Sequence, residues 1–255
     1  MRKILCIILA MLMLASSIIA MPATADAAGF VTKTYYIDKA GKTVTGSKKI
    51  DGDRCYFNKS TGELEGRILK ITYINQDKGV RKNKKWKYTS FCNKKTSTGK
   101  LLRYTACGIT SCAMAITALR GKLTLPSKFN NRKYGFNGNG SDWNVGVLTA
   151  KKYGLHGKVR SLAKNQAINY LLKGRFIVCW VTDSIYGGGG NPAGGDIGHG
   201  KGHFILIHGY WKGKFAVADP NNLSQTYVWS KKLQTWESFN DHLGNGKEKS
   251  YCVIW

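Results

Sequence analysis

Acidic residues are scarce in this chain of 255 residues: 14 Asp and Glu stand against 40 Lys and Arg, a formal net charge of +26. So basic a chain is attracted to polyanions of any kind. Metal-ligand spacings are missing as well. There is no Cys-x-x-Cys and no His-Glu-x-x-His, so no zinc site is expected. The glycine-rich run Gly187–Gly202 has no phosphate-loop spacing and does not stand between a strand and a helix, so no nucleotide cofactor is expected either. Beyond the N-terminal stretch no apolar run approaches membrane-spanning length.

That N-terminal stretch reads as a secretory signal, residues 1–28. Arg2 and Lys3 open it, Ile4 to Ala20 is almost wholly apolar, and Pro22 to Ala28 offers Ala-x-Ala sites after Ala25 or Ala27. Cys6 should leave with it. The mature protein is then expected to be exported, extracellular or wall-associated, with no transmembrane segment. Export sets aside nucleic acid as the partner of the basic segment 67–104, which holds twelve Lys or Arg and one acid, Asp77. Anionic wall polymers are the polyanions left, and a plainly solvated basic surface is the alternative.

About 227 residues remain, enough for one well-buried domain and a small appendage. They hold six cysteines, Cys55, Cys92, Cys107, Cys112, Cys179 and Cys252. Six cysteines allow 15 pairings, so connectivity is not readable. Cys179 and Cys252 lie in apolar strand-like runs and read as buried.

Residues 29–66 repeat with a period near twenty. Tyr36-Ile-Asp38 returns as Tyr56-Phe-Asn58, Val44-Thr-Gly46 as Leu64-Glu-Gly66, and Gly41 and Gly62 mark turns. Stacked short β-hairpins follow from that pattern. From residue 67 to 255 the pattern mixes elements. Ile68–Ile74 reads as a strand, followed by a polar basic loop to about Arg103. Helices are expected over Cys107–Leu119, Asp142–Tyr153 and Ala163–Leu172, each stopped by a glycine. Strands follow at Phe176–Val181, His203–Trp211, Phe215–Ala218, Thr226–Trp229 and Tyr251–Trp255. Helices first and antiparallel strands later make an α+β fold.

The chemistry is concentrated at three places. Cys107-Gly stands directly ahead of a helical apolar pattern, Ile109, Ala113, Ile116 and Leu119. A thiol there meets unpaired N–H groups and the positive end of the helix dipole, which favour thiolate. His203 opens one strand-like run and Asp219 closes another, so nucleophile, base and orienter follow in the order Cys, His, Asp. Other residues fit less well. Cys112 lies half a turn around the same helix, and His208 is an odd number of residues from His203 on a strand. His156 is isolated, and His199 lies in the glycine run. Asn221 and Asn222 are alternatives to Asp219 as orienter.

Cys107-Gly-Ile-Thr-Ser-Cys-Ala-Met, Gly202-His203-Phe-Ile-Leu and Val217-Ala-Asp219-Pro together resemble cysteine-peptidase family 39, the bacteriocin-processing type, and its secreted papain-like relatives. The resemblance spans roughly residues 68–255. It implies a papain-like fold with N-terminal helices and an antiparallel sheet, Cys107 as nucleophile, His203 as base and Asp219 as orienter. It further implies an oxyanion-donating glutamine, matched by Gln76 in Ile71-Thr-Tyr-Ile-Asn-Gln76, and a peptide or protein substrate. The chain has no transport or ATP-binding segments, so the double-glycine leaders of the transporter-linked members do not carry over. Residues 29–66 resemble Gram-positive choline- and glucan-binding wall repeats, although Thr34 and Arg54-Cys55 stand where a tryptophan usually precedes the tyrosines. The expected function is a secreted cysteine peptidase held near the wall. A peptidoglycan endopeptidase or amidase and a non-catalytic wall-binding protein are the alternatives.

Overall fold

The structure is a computed structural model and describes residues 34–83, 85–181, 203–221, 233–235 and 251–255. The expected signal segment, the glycine-rich run with His199, Asn222 and the expected strand 226–229 lie outside the described residues.

The twenty-residue repeat takes the same local form twice. Asp38 accepts the N–H groups of Ala40 and Lys42 on its side chain, and Asn58 accepts those of Ser60 and Thr61, so each repeat begins with an Asx-type turn. Between and after these turns run β1 (Gly46–Ile50), β2 (Asp53–Phe57) and β3 (Leu64–Ile68), paired antiparallel in succession. Val44, Cys55, Phe57 and Leu64 bury one face of this meander.

That meander is not closed on itself. The boundary expected between residues 66 and 67 falls inside β3, and β3 pairs with β9 (His203–Trp211) through Arg67 and Ile68 opposite Tyr210 and Gly209. A Cβ on Gly66 would lie 2.7 Å from the Trp211 ring, and one on Gly209 would lie 2.7 Å from the Ile68 backbone. Both glycines therefore let the strands approach. Tyr56 stacks on Trp211 with centroids 4.2 Å apart, and Phe57 is buried, so neither ring stands open to form a cage around a cation. Leu172, at the end of α4 (Lys164–Leu172), completes the meander's core. A chain beginning at Arg67 would leave Leu172, Ile168 and Trp211 uncovered. Its thermal midpoint should fall by about 5–10 °C, read by circular dichroism.

The rest of the principal sheet runs from β9 to β8 (Phe176–Val181), β12 (Tyr251–Ile254) and β7 (Gly157–Arg160), all antiparallel. On its other edge β9 turns back into β10 (Lys214–Ala218), which pairs with β11 (Leu233–Thr235). Against the sheet lies α2 (Cys107–Arg120), preceded by the single turn α1 (Leu102–Thr105). Every residue from Gly108 to Thr117 is buried, because α3 (Val145–Lys151), the sheet and the segment around Ile74 surround this helix.

Three expectations change in the structure. The strand expected over Ile68–Ile74 stops at Ile68, because the Asp53 carboxylate takes the Lys70 N–H at 2.7 Å. The expected basic loop is largely a three-stranded antiparallel sheet, β4 (Ile74–Asn75), β5 (Gly79–Lys82) and β6 (Lys85–Lys87), with a 3₁₀ turn at Thr89–Asn93. The helix expected over Asp142–Tyr153 is seven residues long, entered at Asn144.

Candidate active site

The spacing of His203 and Asp219 follows from one hairpin. Lys212 and Gly213 have φ of +49° and +78°, so the chain reverses through a two-residue turn between β9 and β10. Antiparallel pairing then returns Ala218 opposite Leu206 and brings Asp219 back beside the start of β9. There His203 Nε2 lies 2.7 Å from Asp219 Oδ1, with both side chains largely buried at 13% and 8% exposure. The same oxygen accepts the Asn221 backbone N–H at 2.7 Å, so Asn221 contributes its main chain rather than replacing the carboxylate.

Cys107 is the first residue of α2 and is partly buried. Its Ncap, Ala106, has no capping side chain, so the first-turn N–H groups are left for other acceptors. The residue after it must be small, because a Cβ on Gly108 would lie 2.4 Å from Ser141 Oγ and 3.2 Å from the Phe204 ring. With Nε2 engaged by Asp219, Nδ1 is the ring nitrogen of His203 left for the hydrogen bond that joins it to Cys107.

Electrostatics at the pair run in opposite directions. Burial alone would raise the Cys107 thiol, but the hydrogen bond and charge of His203, with N–H donors from Phe204 and Gly108, hold it below the ordinary thiol value. For His203, burial disfavours the imidazolium, yet the Asp219 charge and hydrogen bond, then Cys107, lift its pKa well above the ordinary imidazole value. Both shifts favour the thiolate–imidazolium form of the pair over the neutral one. The other described thiols move upward: burial pushes Cys55 and Cys92 to about 11 and Cys252 to about 12, and it raises Cys112 and Cys179 as well. All six described cysteines are free.

Gln76 lies in the turn between β4 and β5 and is 1% exposed. Its Nε2 donates to the Arg103 carbonyl at 2.7 Å, which places the amide beside the segment leading into Cys107. Its backbone N–H donates to Pro220 O at 2.8 Å, and the Tyr73 hydroxyl donates to Asp219 O at 2.5 Å. The segment Tyr73–Gln76 thus grips the acid's loop while carrying the amide.

Residues 68–243 match the model of the Peptidase_C39 like family. The chain belongs to that family. A solved structure of a Bacillus anthracis protein, provisionally assigned as a C39-like peptidase, shares 12% identity with a TM-score of 0.43, over 59% of this chain and 88% of that one. No curated protein matches the chain.

Among the described residues the other two histidines, His208 and His156, are placed elsewhere. His208 is the extra residue of a β-bulge, since Ala216 pairs with Gly209 and Val217 with Ile207. Its Nδ1 meets Leu69 O at 2.9 Å, and burial lowers its pKa to about 4, which keeps it neutral. His156 stacks on Trp255. Cys112 faces Thr149 and Cys252 in the core. Two residues to which the sequence alone assigned no role also bear on the site: Tyr73, and Ser111, whose hydroxyl donates to Phe204 O at 3.2 Å. A buried tyrosine must satisfy its hydroxyl, so Tyr73 three residues before Gln76 carried a usable signal. Ser111 carried none. No helix among the described residues is long and apolar enough to cross a membrane.

Proposed function

We propose that this protein is a secreted cysteine peptidase of papain-like fold that hydrolyses peptide bonds with Cys107 as nucleophile, His203 as acid and base, and Asp219 as orienter. The observation that carries the reading is the joint one at Cys107. It is the one described thiol whose pKa falls, and its partner is an imidazole whose second nitrogen is held by a carboxylate. Membership of a peptidase family supplies the substrate class, peptides.

The reaction follows from these groups. The Cys107 thiolate attacks the scissile carbonyl carbon, and the carbonyl π electrons move onto oxygen. The Cys107 backbone N–H and the second N–H of Gln76 Nε2, its first being bonded to Arg103 O, receive that oxyanion. His203 gives its Nδ1 proton to the leaving amine as the C–N bond breaks, which leaves a thioester. Water, deprotonated by His203, attacks the thioester, and its collapse releases the acid and restores the thiolate. Asp219 keeps Nε2–H engaged throughout and balances the charge of the imidazolium. The apolar N-terminal run supports export, and the net charge of +26 supports retention near anionic wall polymers.

Iodoacetamide labelling across pH tests the reading. At mildly acidic pH Cys107 should be alkylated ahead of Cys55, Cys92 and Cys252, whose burial keeps them protonated. Peptide mapping that found another cysteine labelled first would overturn the assignment.

A further inference from the structure

We infer, resting on the peptidase reading, that the cleft selects acidic peptides, with Asp or Glu side chains near the scissile bond drawn to the basic sheet that carries Gln76. The basic segment looked like diffuse surface charge in the sequence, but the fold gives it a location. Gln76 occupies the turn that joins β4 to β5, and Ile74 and Val80 on those strands pack into the same core as Ile109 and Ala113 of the Cys107 helix. The three-stranded sheet therefore packs beside the Cys107 helix, with Gln76 in its first turn.

Lys78, Lys82, Lys85 and Lys87 of this sheet are exposed, as is Lys94 just after the 3₁₀ turn. Lys78 is two residues from Gln76 in the same turn and is exposed, so the nearest ammonium of the basic segment in sequence belongs to the turn that carries the amide. The one acid of the segment is already engaged, since Asp77 pairs with Arg103 at 3.3 Å. Arg103 is further bonded to Asn93. Among the described residues none of these five lysines has a carboxylate partner. Arg81 is set apart, its guanidinium lying over the Trp86 ring at 5.0 Å. A wall of one sign beside a partly buried site raises the local concentration of oppositely charged ligands, roughly 10- to 1,000-fold in encounter rate at low salt. The attraction fades once the Debye length falls to a few ångströms. A carboxylate-bearing peptide is the occupant that both this charge and the acyl-transfer chemistry accept.

Two readouts separate this inference from the peptidase reading. The first uses small thiol reagents of opposite charge, 2-sulfonatoethyl and 2-(trimethylammonio)ethyl methanethiosulfonate, each rate divided by that reagent's rate with a free small thiol, with Cys107 modification followed by mass spectrometry. The second compares kcat/KM for two peptide pools identical except for Glu or Lys around the scissile bond. Both are run on the full chain, on Lys78→Glu/Lys82→Glu/Lys85→Glu, and on a control of equal net charge, Lys48→Glu/Lys49→Glu/Lys59→Glu, on the exposed surface of the meander.

The expected result is a preference of about tenfold for the anionic reagent and the Glu pool at low ionic strength. It should be lost in the first triple variant, be kept in the control, and shrink toward unity at about 1 M salt. Equal losses in the two triple variants would show net charge acting diffusely and overturn the inference. So would a preference near unity in the wild type. If neither pool is cleaved while the reagents still discriminate, the peptidase reading fails and the anion selectivity of the site stands. If both pools are cleaved alike, the substrate inference fails alone.

Discussion

Asp219→Ala should lower kcat by about 1,000-fold. The variant removes the acceptor that holds His203 Nε2 at 2.7 Å together with the charge that lifts the imidazole's pKa. His203 then loses its proton at lower pH, and the Cys107 thiolate loses its imidazolium partner. Sign and direction can be followed in the pH–rate profile. In the wild type, activity rises as Cys107 ionises, below the ordinary thiol range, and falls as His203 deprotonates, above the ordinary imidazole range. In Asp219→Ala the acidic limb should move up and the basic limb down, so the plateau narrows as well as drops. Asp219→Asn separates charge from hydrogen bond. Its amide oxygen can still accept from His203 Nε2–H and from the Asn221 N–H, so its kcat should lie between wild type and the alanine variant, with the basic limb still displaced downward. An alanine variant with unchanged kcat would remove Asp219 from the mechanism.

Gln76→Ala should cost roughly 100- to 1,000-fold in kcat while leaving the pH dependence of Cys107 labelling in place. The side chain touches neither member of the thiolate–imidazolium pair in the contacts described. Its bonded partner is the Arg103 carbonyl, and its worth lies in an N–H presented to charge that exists only after attack. The contrast between the two variants is diagnostic. Loss of the carboxylate changes both labelling and turnover, whereas loss of the amide changes turnover alone. Because the Gln76 backbone also bonds Pro220 O, circular dichroism and the thermal midpoint should accompany the kinetics, and Gln76→Glu serves as a second variant of similar size.

Much of the site could be read from local pattern. Cys107-Gly108 before an apolar 3.6-residue period marks a helix start whatever the fold, and the sixteen residues from His203 to Asp219 are the length of a two-strand hairpin with a tight turn at Lys212-Gly213. What escaped was non-local or lightly patterned. β7 contributes a single apolar residue, Val159, to a sheet edge, so nothing in Gly157–Arg160 announces a strand. The hairpins at 74–87 are masked by charge, because exposed lysines at Lys82, Lys85 and Lys87 swamp any alternation. The period of residues 29–66 was legible and yields two matching turns, but its union with β9 depends on Arg67 meeting Tyr210, a pairing that no local signal encodes. His208 shows the limit of alternation arguments: a bulge falls at that residue, and strand parity cannot be carried across it.

The place of β12 in the sheet bears on the order in which the fold can assemble. Tyr251–Ile254 comes last of the described elements, yet it lies between β8 and β7, and Cys252 and Ile254 join the core that surrounds the Cys107 helix. A nascent chain therefore carries Cys107, His203 and Asp219 before it owns this inner strand of the sheet. Contacts of such long sequence separation form late and slowly. Closure of the sheet around the Cys107 helix thus waits on a strand made after all three of these residues.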